Sequence, residues 1–305
     1  MAAPHPLSAA ALFDLKGWVA VVTGGGTGVG LMIAQTLAAN GAKVYITGRR
    51  ADVLETSARI HGARDKLGEN GGEIVPLIMD VVDKESIKNA VSEIEAKESY
   101  LNVLVNNAGI WKGRAAAAPA DGPEKFGAAL FAEEIEDTWQ QTFLTNTTST
   151  YFVTAAFLPL LGKALKGPTK QIGTVINNAS ASGLLRMTQN GQYSYNASKA
   201  AALHVSRNMA YDLSHENINV RVNGLAIGYF PSEMTTSGSN DDNQSSYDVE
   251  GFRAMLKSMG VTNVKRMGSP RDLASAILNL ATNEFIWGTT TVVDGGFTLQ
   301  AAGNL

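Results

Sequence analysis

Seven short runs of β-branched and apolar residues alternate with helical segments, and this alternation constrains the fold more than any other feature of the sequence. The runs begin at Trp18, Ala42, Glu73, Leu101, Gly173, Asn219 and Thr289. Between the first two, Val29, Ile33 and Leu37 recur at helical spacing. Strands that are apolar almost throughout and are each followed by a helix are typical of a parallel sheet covered on both faces. We therefore predict an α/β protein with a doubly wound, seven-stranded parallel sheet.

The same periodicity predicts helices over residues 84–97, 133–161, 194–214 and 272–281. Two stretches interrupt the pattern. Residues 111–134 are expected to be an inserted loop, and residues 229–265, rich in Ser, Asn and Asp, are expected to be a substrate lid or, alternatively, a plain mobile insertion. Residues 1–305 are predicted to be one domain with its core at about 15–297 and the lid as an insertion in it.

Composition excludes several classes of function. The chain has no Cys and a net charge of -3, which exclude disulfides, thiolate metal sites and the basic surface of a nucleic-acid binder. The four histidines have no metal-ligand spacing, so no metal site is predicted. The longest apolar stretch, from Tyr151, is too short to cross a membrane, and the N-terminus lacks a basic region like that of a signal peptide. We therefore predict a cytoplasmic protein.

A glycine-rich turn lies between the first strand and its helix. Gly24, Gly28 and Gly30 occur in "VVTGGGTGVG". Glycine permits a tight turn and a close approach of the backbone to a pyrophosphate, and the helix N-terminus provides free N–H groups. A purely structural turn is the alternative. The order of strand, turn and helix favours phosphate binding.

Tyr195 and Lys199 are four residues apart in a predicted helix, so they share one face. Free Tyr has a pKa of about 10, and proton transfer works best with a pKa nearer the working pH. A neighbouring ammonium can stabilise the phenolate, so we expect the pKa of Tyr195 to be lowered. The alternative is a Tyr–Lys pair on an ordinary amphipathic helix.

These motifs together resemble the short-chain dehydrogenase/reductase family, in its 3-oxoacyl-carrier-protein-reductase-like branch. The resemblance rests on the T-G-x-x-x-G-x-G spacing at the first turn, "NNAG" at 106–109, a Ser after the fifth strand and Y-x-x-x-K at 195–199. It extends from about Leu15 to Phe297. It implies a Rossmann fold, a nicotinamide cofactor, a small carbonyl or alcohol substrate, and a homodimer or homotetramer formed through the two longest helices.

The resemblance also implies which residues bind the cofactor. They are Gly24, Thr27, Gly28, Val29, Gly30, Arg49, Arg50, Asp80, Val81, Asn107, Ala108, Gly109, Tyr195, Lys199, Gly228, Phe230 and Ser232. Gly48 stands where an acidic residue would bind a ribose hydroxyl, and Arg49 and Arg50 follow it. Guanidinium groups bind phosphate, so NADP(H) is predicted over NAD(H). The alternatives are a solvated arginine pair and, for Asp80, a helix N-cap role.

Four residues are predicted to be catalytic by the same resemblance: Ser180, Tyr195, Lys199 and Asn146. Alignment along the fifth strand selects Ser180, whereas counting back from Tyr195 selects Ser182, which is kept as a helper or second choice. Asn146 would anchor a water for proton relay, or would only hold a bend in a buried helix. Leu184, Leu185, Met187 and Trp111 are expected to line the substrate site.

The sequence therefore predicts an NADP(H)-dependent carbonyl reductase. In this reaction Tyr195 would protonate the substrate oxygen while Ser180 orients it and Lys199 supports Tyr195. The alternatives are an NAD-linked alcohol dehydrogenase and a nucleotide-binding scaffold without catalysis.

Overall fold

The computed structural model describes residues 4–301, and within them seven parallel strands form one sheet. The strands are β1 (Val19–Thr23), β2 (Lys43–Gly48), β3 (Glu73–Ile78), β4 (Val103–Asn106), β5 (Thr174–Asn178), β6 (Arg221–Ile227) and β7 (Thr290–Val293). Their order across the sheet is β3-β2-β1-β4-β5-β6-β7. The order reverses beside β1, which is the crevice where ligands bind in doubly wound sheets. The predicted fold class is confirmed.

Helices cover both faces of this sheet. They are α1 (Ala9–Leu12), α2 (Gly28–Ala39), α3 (Ala51–His61), α4 (Arg64–Leu67), α5 (Lys84–Glu95), α6 (Pro123–Phe131), α7 (Gln141–Phe143), α8 (Ser149–Leu161), α9 (Tyr193–Leu213), α10 (Glu233–Thr236), α11 (Val249–Ser258), α12 (Pro270–Thr282) and α13 (Phe297–Gln300). Helices α2, α3 and α12 lie on one face and α5, α8 and α9 on the other. No helix of residues 4–301 combines the length and the apolar character needed to cross a membrane.

Two apolar layers cover the sheet, and β1 contributes to both. Ala20 and Val22 pack on the face of α2 and α12, whereas Val19 and Val21 pack on the face of α5, α8 and α9. Successive residues of a strand point to opposite faces, so a strand buried on both sides must be apolar throughout. The edge strand β3 differs, with Pro76 exposed at a place where a missing N–H costs the sheet little.

The inserted stretch 111–134 is more ordered than predicted. It contains a short 3₁₀ turn and the helix α6, which begins at Pro123. Pro is well suited to the first position of a helix because its missing N–H has no partner there. The expectation of an inserted loop was therefore wrong for Pro123–Phe131, and the Pro after Gly122 was the signal for it.

The predicted helix over 133–161 is present from Ile135, but two parts of it are π-helical. These are Ile135–Gln140 and Leu144–Thr148, followed by α8. Wide π turns are often found at functional sites, where they reorient side chains. The second of them contains Asn146.

The segment predicted as a lid contains α10 and α11 and contributes to a small apolar core that it shares with Met267 and Phe297. Phe252 and Leu256 of α11 are buried with Val264, Met267 and Phe297. Asn243, between the two helices, is buried against α3, where its Nδ2 donates to Ser57 Oγ over 2.8 Å and to the Val53 carbonyl over 3.1 Å. Opening of this segment over a substrate stays a prediction.

Candidate active site

A cavity of about 660 Å³ runs along the carboxyl ends of the strands from β2 and β3 to β6. Its volume falls within the usual range for small-molecule sites. It is lined by all the residues predicted to bind the cofactor, namely Gly24, Thr27, Gly28, Val29, Gly30, Arg49, Arg50, Asp80, Val81, Asn107, Ala108, Gly109, Tyr195, Lys199, Gly228, Phe230 and Ser232. Ser180 also lines it, whereas Asn146 and Ser182 do not.

The glycine-rich turn at the end of β1 has no room for side chains. Gly24 has a φ of +62°, and a Cβ there would lie 3.0 Å from Ala108 Cα. A Cβ on Gly30 would lie 2.0 Å from the Gly24 carbonyl oxygen. Asn107 braces the same turn, since its Nδ2 donates to the carbonyls of Thr23 and Gly24 over 2.9 and 3.1 Å. The result is a bare main-chain cradle at the N-terminus of α2, which suits the diphosphate of a dinucleotide.

The turn after β2 carries the predicted phosphate-binding arginines, and both are exposed. Arg50 is the N-cap of α3 and forms an ion pair with Glu233 at the start of α10, with Nη2 to Oε2 at 2.8 Å. This pairing and hydrogen bonds from Ser239 and Thr27 hold the pKa of Glu233 below its ordinary value despite partial burial. The sequence contained no signal for Glu233, which the fold brings across the cavity from the lid segment.

Asp80 lies at the end of β3 and is not a helix cap. Its Oδ1 accepts from the Val82 N–H over 3.1 Å, while Asp83 is the N-cap of α5. The N-cap alternative for Asp80 was therefore wrong, because the helix begins three residues later than that role requires. The Asp80 carboxylate keeps an oxygen beside the cavity.

Ser180 and Ser182 differ in where they lie. Ser180 is the N-cap of the 3₁₀ turn Ala181–Leu184, and its Oγ accepts from the Ser182 N–H over 3.1 Å. That bond uses only the Ser180 oxygen, so the single hydroxyl hydrogen can be donated to another group. Ser180 also lowers the pKa of the Tyr195 phenol through a hydrogen bond. A Cβ on Gly183 would lie 2.7 Å from the main chain of α9, so this glycine lets the turn pack beside Lys199.

Tyr195 is half-buried at the wall of the cavity, and loss of contact with water is still the largest influence on its phenol. It raises the pKa of Tyr195 to about 12, against the smaller lowering by Ser180. The expectation that Lys199 lowers this pKa was wrong for the protein as described, because removing the phenolate from water outweighs the stabilising contacts that reach it. The phenol is therefore fully protonated at neutral pH.

Lys199 is buried one helical turn beyond Tyr195. Its Nζ donates to the Asn178 carbonyl over 3.2 Å and lies 5.8 Å from the centre of the Tyr195 ring. Burial lowers the pKa of Lys199 to about 8. The ammonium is thus held at the end of β5, beside the phenol.

Asn146 supports the loop after β4 from the π-helical turn. Its Oδ1 accepts from the Ile110 N–H over 2.8 Å, and its Nδ2 donates to the Ile110 carbonyl over 2.9 Å and to Ser198 Oγ over 3.0 Å. A Cβ on Gly109 would lie 3.1 Å from Asn146 Oδ1 and 3.4 Å from Lys199 Nζ, so both groups approach this glycine. The Asn146 amide is engaged with the Ile110 main chain and Ser198, and its role in proton relay stays a prediction.

A chain of hydrogen bonds that runs from Trp111 to Tyr229 was not predicted. Trp111 Nε1 donates to Gln192 Oε1 over 3.1 Å, Gln192 Nε2 donates to Gln189 Oε1 over 2.7 Å, and Gln189 Nε2 donates to the Tyr229 hydroxyl over 3.0 Å. Tyr229 also acts to raise the pKa of Tyr195. The available signal for this extra structure was the disagreement between the two ways of choosing the serine, which placed it at Ser180 or at Ser182.

The segment after β6 closes the cavity. Gly228 passes so close to β7 that a Cβ would lie 2.8 Å from Asp294 Cα, and Phe230 is buried. Thr235 Oγ1 donates to the Phe230 carbonyl over 2.6 Å and accepts from the Ser232 N–H over 3.0 Å. These bonds tie α10 back to the segment that follows β6. Leu185 and Met187, expected to line the substrate site, pack against the apolar core beneath α11.

Comparison with known proteins agrees with this geometry. A model of the short chain dehydrogenase family matches residues 18–243. The short-chain dehydrogenase/reductase PhomF of Diaporthe leptostromiformis is 36% identical over 301 residues, which cover 95% of this chain and 94% of that protein. The rhamnolipids biosynthesis 3-oxoacyl-[acyl-carrier-protein] reductase of Pseudomonas aeruginosa is 32% identical over 290 residues, covering 94% and 98%.

Among solved structures, a gluconate 5-dehydrogenase from Burkholderia cenocepacia, in complex with NADP and tartrate, superposes with a TM-score of 0.75. It is 28% identical, with 96% of this chain and 100% of that chain covered. The family match covers the cavity from the glycine-rich turn to Tyr195 and Lys199. The chain therefore belongs to the short-chain dehydrogenase/reductase family of oxidoreductases, whose members bind a nicotinamide cofactor and act on small molecules.

Proposed function

We propose that this chain is an NADP(H)-dependent oxidoreductase that reduces a carbonyl group to an alcohol, with Tyr195 as the proton donor. One observation carries the proposal: Ser180, Tyr195 and Lys199 line the same cavity as the glycine-rich turn and the two arginines after β2. A dinucleotide held at the turn would extend toward the three polar side chains. The proposed site therefore places the cofactor-binding turn and the proton donor Tyr195 in one cavity.

Bound NADPH supplies the hydride in such a reaction. Tyr195 supplies the proton, because its phenol, with a pKa of about 12, is protonated at neutral pH and is still a stronger acid than the alcohol that forms. The Ser180 hydroxyl, which hydrogen-bonds the Tyr195 phenol, would donate to the carbonyl oxygen of a substrate placed beside that phenol and stabilise the negative charge that develops on it.

Lys199 supports the phenolate that remains after Tyr195 has donated its proton. Its pKa of about 8 keeps most of this side chain charged at pH 7, and its bond to the Asn178 carbonyl fixes its position. A positive charge beside a phenolate stabilises it. We propose that Asn146 holds the Ile110 main chain beside Lys199 so that a proton can return from solvent along this side.

The preference for NADP(H) rests on Arg49 and Arg50 and on the absence of an acidic residue at Gly48. The Burkholderia cenocepacia relative was solved with NADP, which adds support. One observation favours the alternative of NAD-linked alcohol oxidation, namely that Arg50 is already paired with Glu233. Steady-state rates with each cofactor separate these two functions.

The proposal is tested by screening ketones, quinones and acyl thioesters against the purified chain while following NADPH and NADH consumption. We expect turnover with NADPH on at least one carbonyl class. Tyr195→Phe should lower kcat by about 10²- to 10⁴-fold and leave the Kd for NADPH within about threefold. Full turnover by Tyr195→Phe would refute the assignment of the proton donor.

We also propose that the chain forms a homodimer or homotetramer through α8 and α9. Tyr151 on α8 and Tyr211 on α9 are exposed, and Tyr211 is 83% accessible. Aromatic residues are enriched where protein chains bind each other, and such residues are exposed when one chain is considered alone. Size-exclusion chromatography with light scattering measures the molar mass of the protein in solution. The mass of a monomer at micromolar concentration would contradict this proposal.

A further inference from the structure

An ion pair joins the two walls of the cavity at the end of β2. Arg50 Nη2 donates to Glu233 Oε2 over 2.8 Å, and Nη1 donates to Oε1 over 3.4 Å. The Arg50 side chain is 57% accessible and that of Glu233 is 34% accessible. Both residues line the cavity. The guanidinium that the sequence assigns to a phosphate is thus already bound, through its paired N–H groups, to a carboxylate of the lid segment.

The other partners of Glu233 are also donors that suit an anion. Ser239 Oγ donates to Glu233 Oε1 over 2.9 Å. Thr27 is the N-cap of α2, but its side chain makes no capping bond. Its hydroxyl instead hydrogen-bonds the same Glu233 carboxylate. Glu233 therefore lies among a guanidinium and two hydroxyls near a helix N-terminus, where negative charge is favoured.

We propose that Glu233 is a specificity-determining residue that competes with the 2′-phosphate of the cofactor for Arg50. The inference rests on the proposed function, because it concerns binding of NADP(H). The Glu233 carboxylate occupies the Nη1 and Nη2 pair of Arg50, so a phosphate can bind that pair only by displacing the carboxylate. The fixed negative charge also repels the phosphate, whereas the uncharged ribose hydroxyl of NAD(H) is indifferent to both effects.

Arg49 supplies the remaining positive charge. It is exposed, it lines the cavity beside Arg50, and within residues 4–301 it forms no ion pair. Glu233 accordingly reduces the discrimination between NADP(H) and NAD(H) that two unpaired arginines would give. Removing the Glu233 charge should increase that discrimination.

The test measures binding of two nucleotide fragments by calorimetry, without turnover. Adenosine 2′,5′-bisphosphate carries the 2′-phosphate and 5′-AMP lacks it. For Glu233→Gln we expect affinity for the bisphosphate to rise about threefold to tenfold, as for a partly exposed charge pair, and affinity for 5′-AMP to change less than about twofold. The gain should shrink at about 0.5 M salt because exposed charges are screened.

Glu250→Gln is the matched control. Glu250 is a carboxylate of the same lid segment and pairs with Arg253 on α11, and it does not line the cavity. It should leave both affinities unchanged. If Glu233→Gln lowered the affinity for both fragments alike, Glu233 would stabilise the binding-competent arrangement of the cavity, and the competition would be refuted. Unchanged affinity for the bisphosphate would refute it as well.

Arg50→Gln tests the route of the effect. It should lower affinity for the bisphosphate, and adding Glu233→Gln to it should then give less gain than in the wild type. An equal gain would mean that Glu233 repels the phosphate without involving Arg50, which contradicts the proposed competition for Arg50.

Failure of the proposed function is a separate result: wild-type turnover with NADH alone. The inference alone fails if NADPH supports turnover and Glu233→Gln does not tighten bisphosphate binding.

Discussion

Lys199 Nζ lies 5.8 Å from the centre of the Tyr195 ring, with Lys199 buried and Tyr195 half-buried at the start of α9. Burial changes their pKa values in opposite directions, upward to about 12 for Tyr195 and downward to about 8 for Lys199, since in each case it disfavours the charged form. The pair is thereby kept as a neutral phenol beside a readily deprotonated ammonium.

Lys199→Met should change how stability depends on pH. The folded chain holds Lys199 with a pKa of about 8, against an ordinary 10.5, so between these values the unfolded chain binds more protons. Stability from this group therefore increases with pH, by about 2 kcal/mol from roughly pH 8 to 10 relative to Lys199→Met. Urea unfolding across that range measures it. Lys88→Met, at an exposed lysine, is the control. If the difference in unfolding free energy between wild type and variant did not change with pH for either variant, the expectation would be contradicted.

The Tyr195 phenol should stay protonated well above neutral pH. Its pKa of about 12 exceeds the ordinary 10.0, so its contribution to stability is complete below about pH 10 and is lost as the pH rises toward 12. Phenolate absorbance near 295 nm, taken as the difference between wild type and Tyr195→Phe, should show no signal from this residue up to about pH 10. A phenolate appearing near pH 8 would show that Lys199 outweighs burial.

Ser180→Ala and Ser182→Ala should separate the two candidate serines. Only Ser180 lines the cavity and interacts with the Tyr195 phenol. We expect Ser180→Ala to lower kcat by about 10- to 10³-fold, as for loss of one donor to a developing oxyanion, and Ser182→Ala to change it by less than about threefold. Steady-state kinetics on a substrate from the screen decides, and the reverse ranking would move the role to Ser182.

Gly30→Ala should destabilise the chain and impair cofactor binding. The added Cβ would lie 2.0 Å from the Gly24 carbonyl oxygen and 2.5 Å from Asn107 Nδ2, so the glycine-rich turn would have to move. We expect a loss of about 2 to 3 kcal/mol in the free energy of unfolding. Gly127→Ala on α6 is the control, because a Cβ there meets nothing within 4 Å. It should be neutral or stabilise by up to about 1 kcal/mol, and similar losses in both variants would contradict the close-packing account.

The sequence by itself determined the sheet, the cradle and the Tyr195–Lys199 pair. Strands buried on both faces must be apolar throughout, a turn with Gly24 at φ +62° needs glycine, and residues four apart share a helix face, so these features follow from local rules. Helix α6 followed from local rules too, although the periodicity did not reveal it.

Tertiary structure alone decided the charges and partners in the cavity. Arg50 and Glu233 are 183 residues apart in the chain, and Gln189 reaches Tyr229 across 40 residues. The pKa of Tyr195 depends on how completely distant elements remove water from the phenol, which the spacing of Tyr195 and Lys199 does not encode. Desolvation and long-range pairing are properties of the packed molecule, and they set both the acid strength of the phenol and the availability of the arginine.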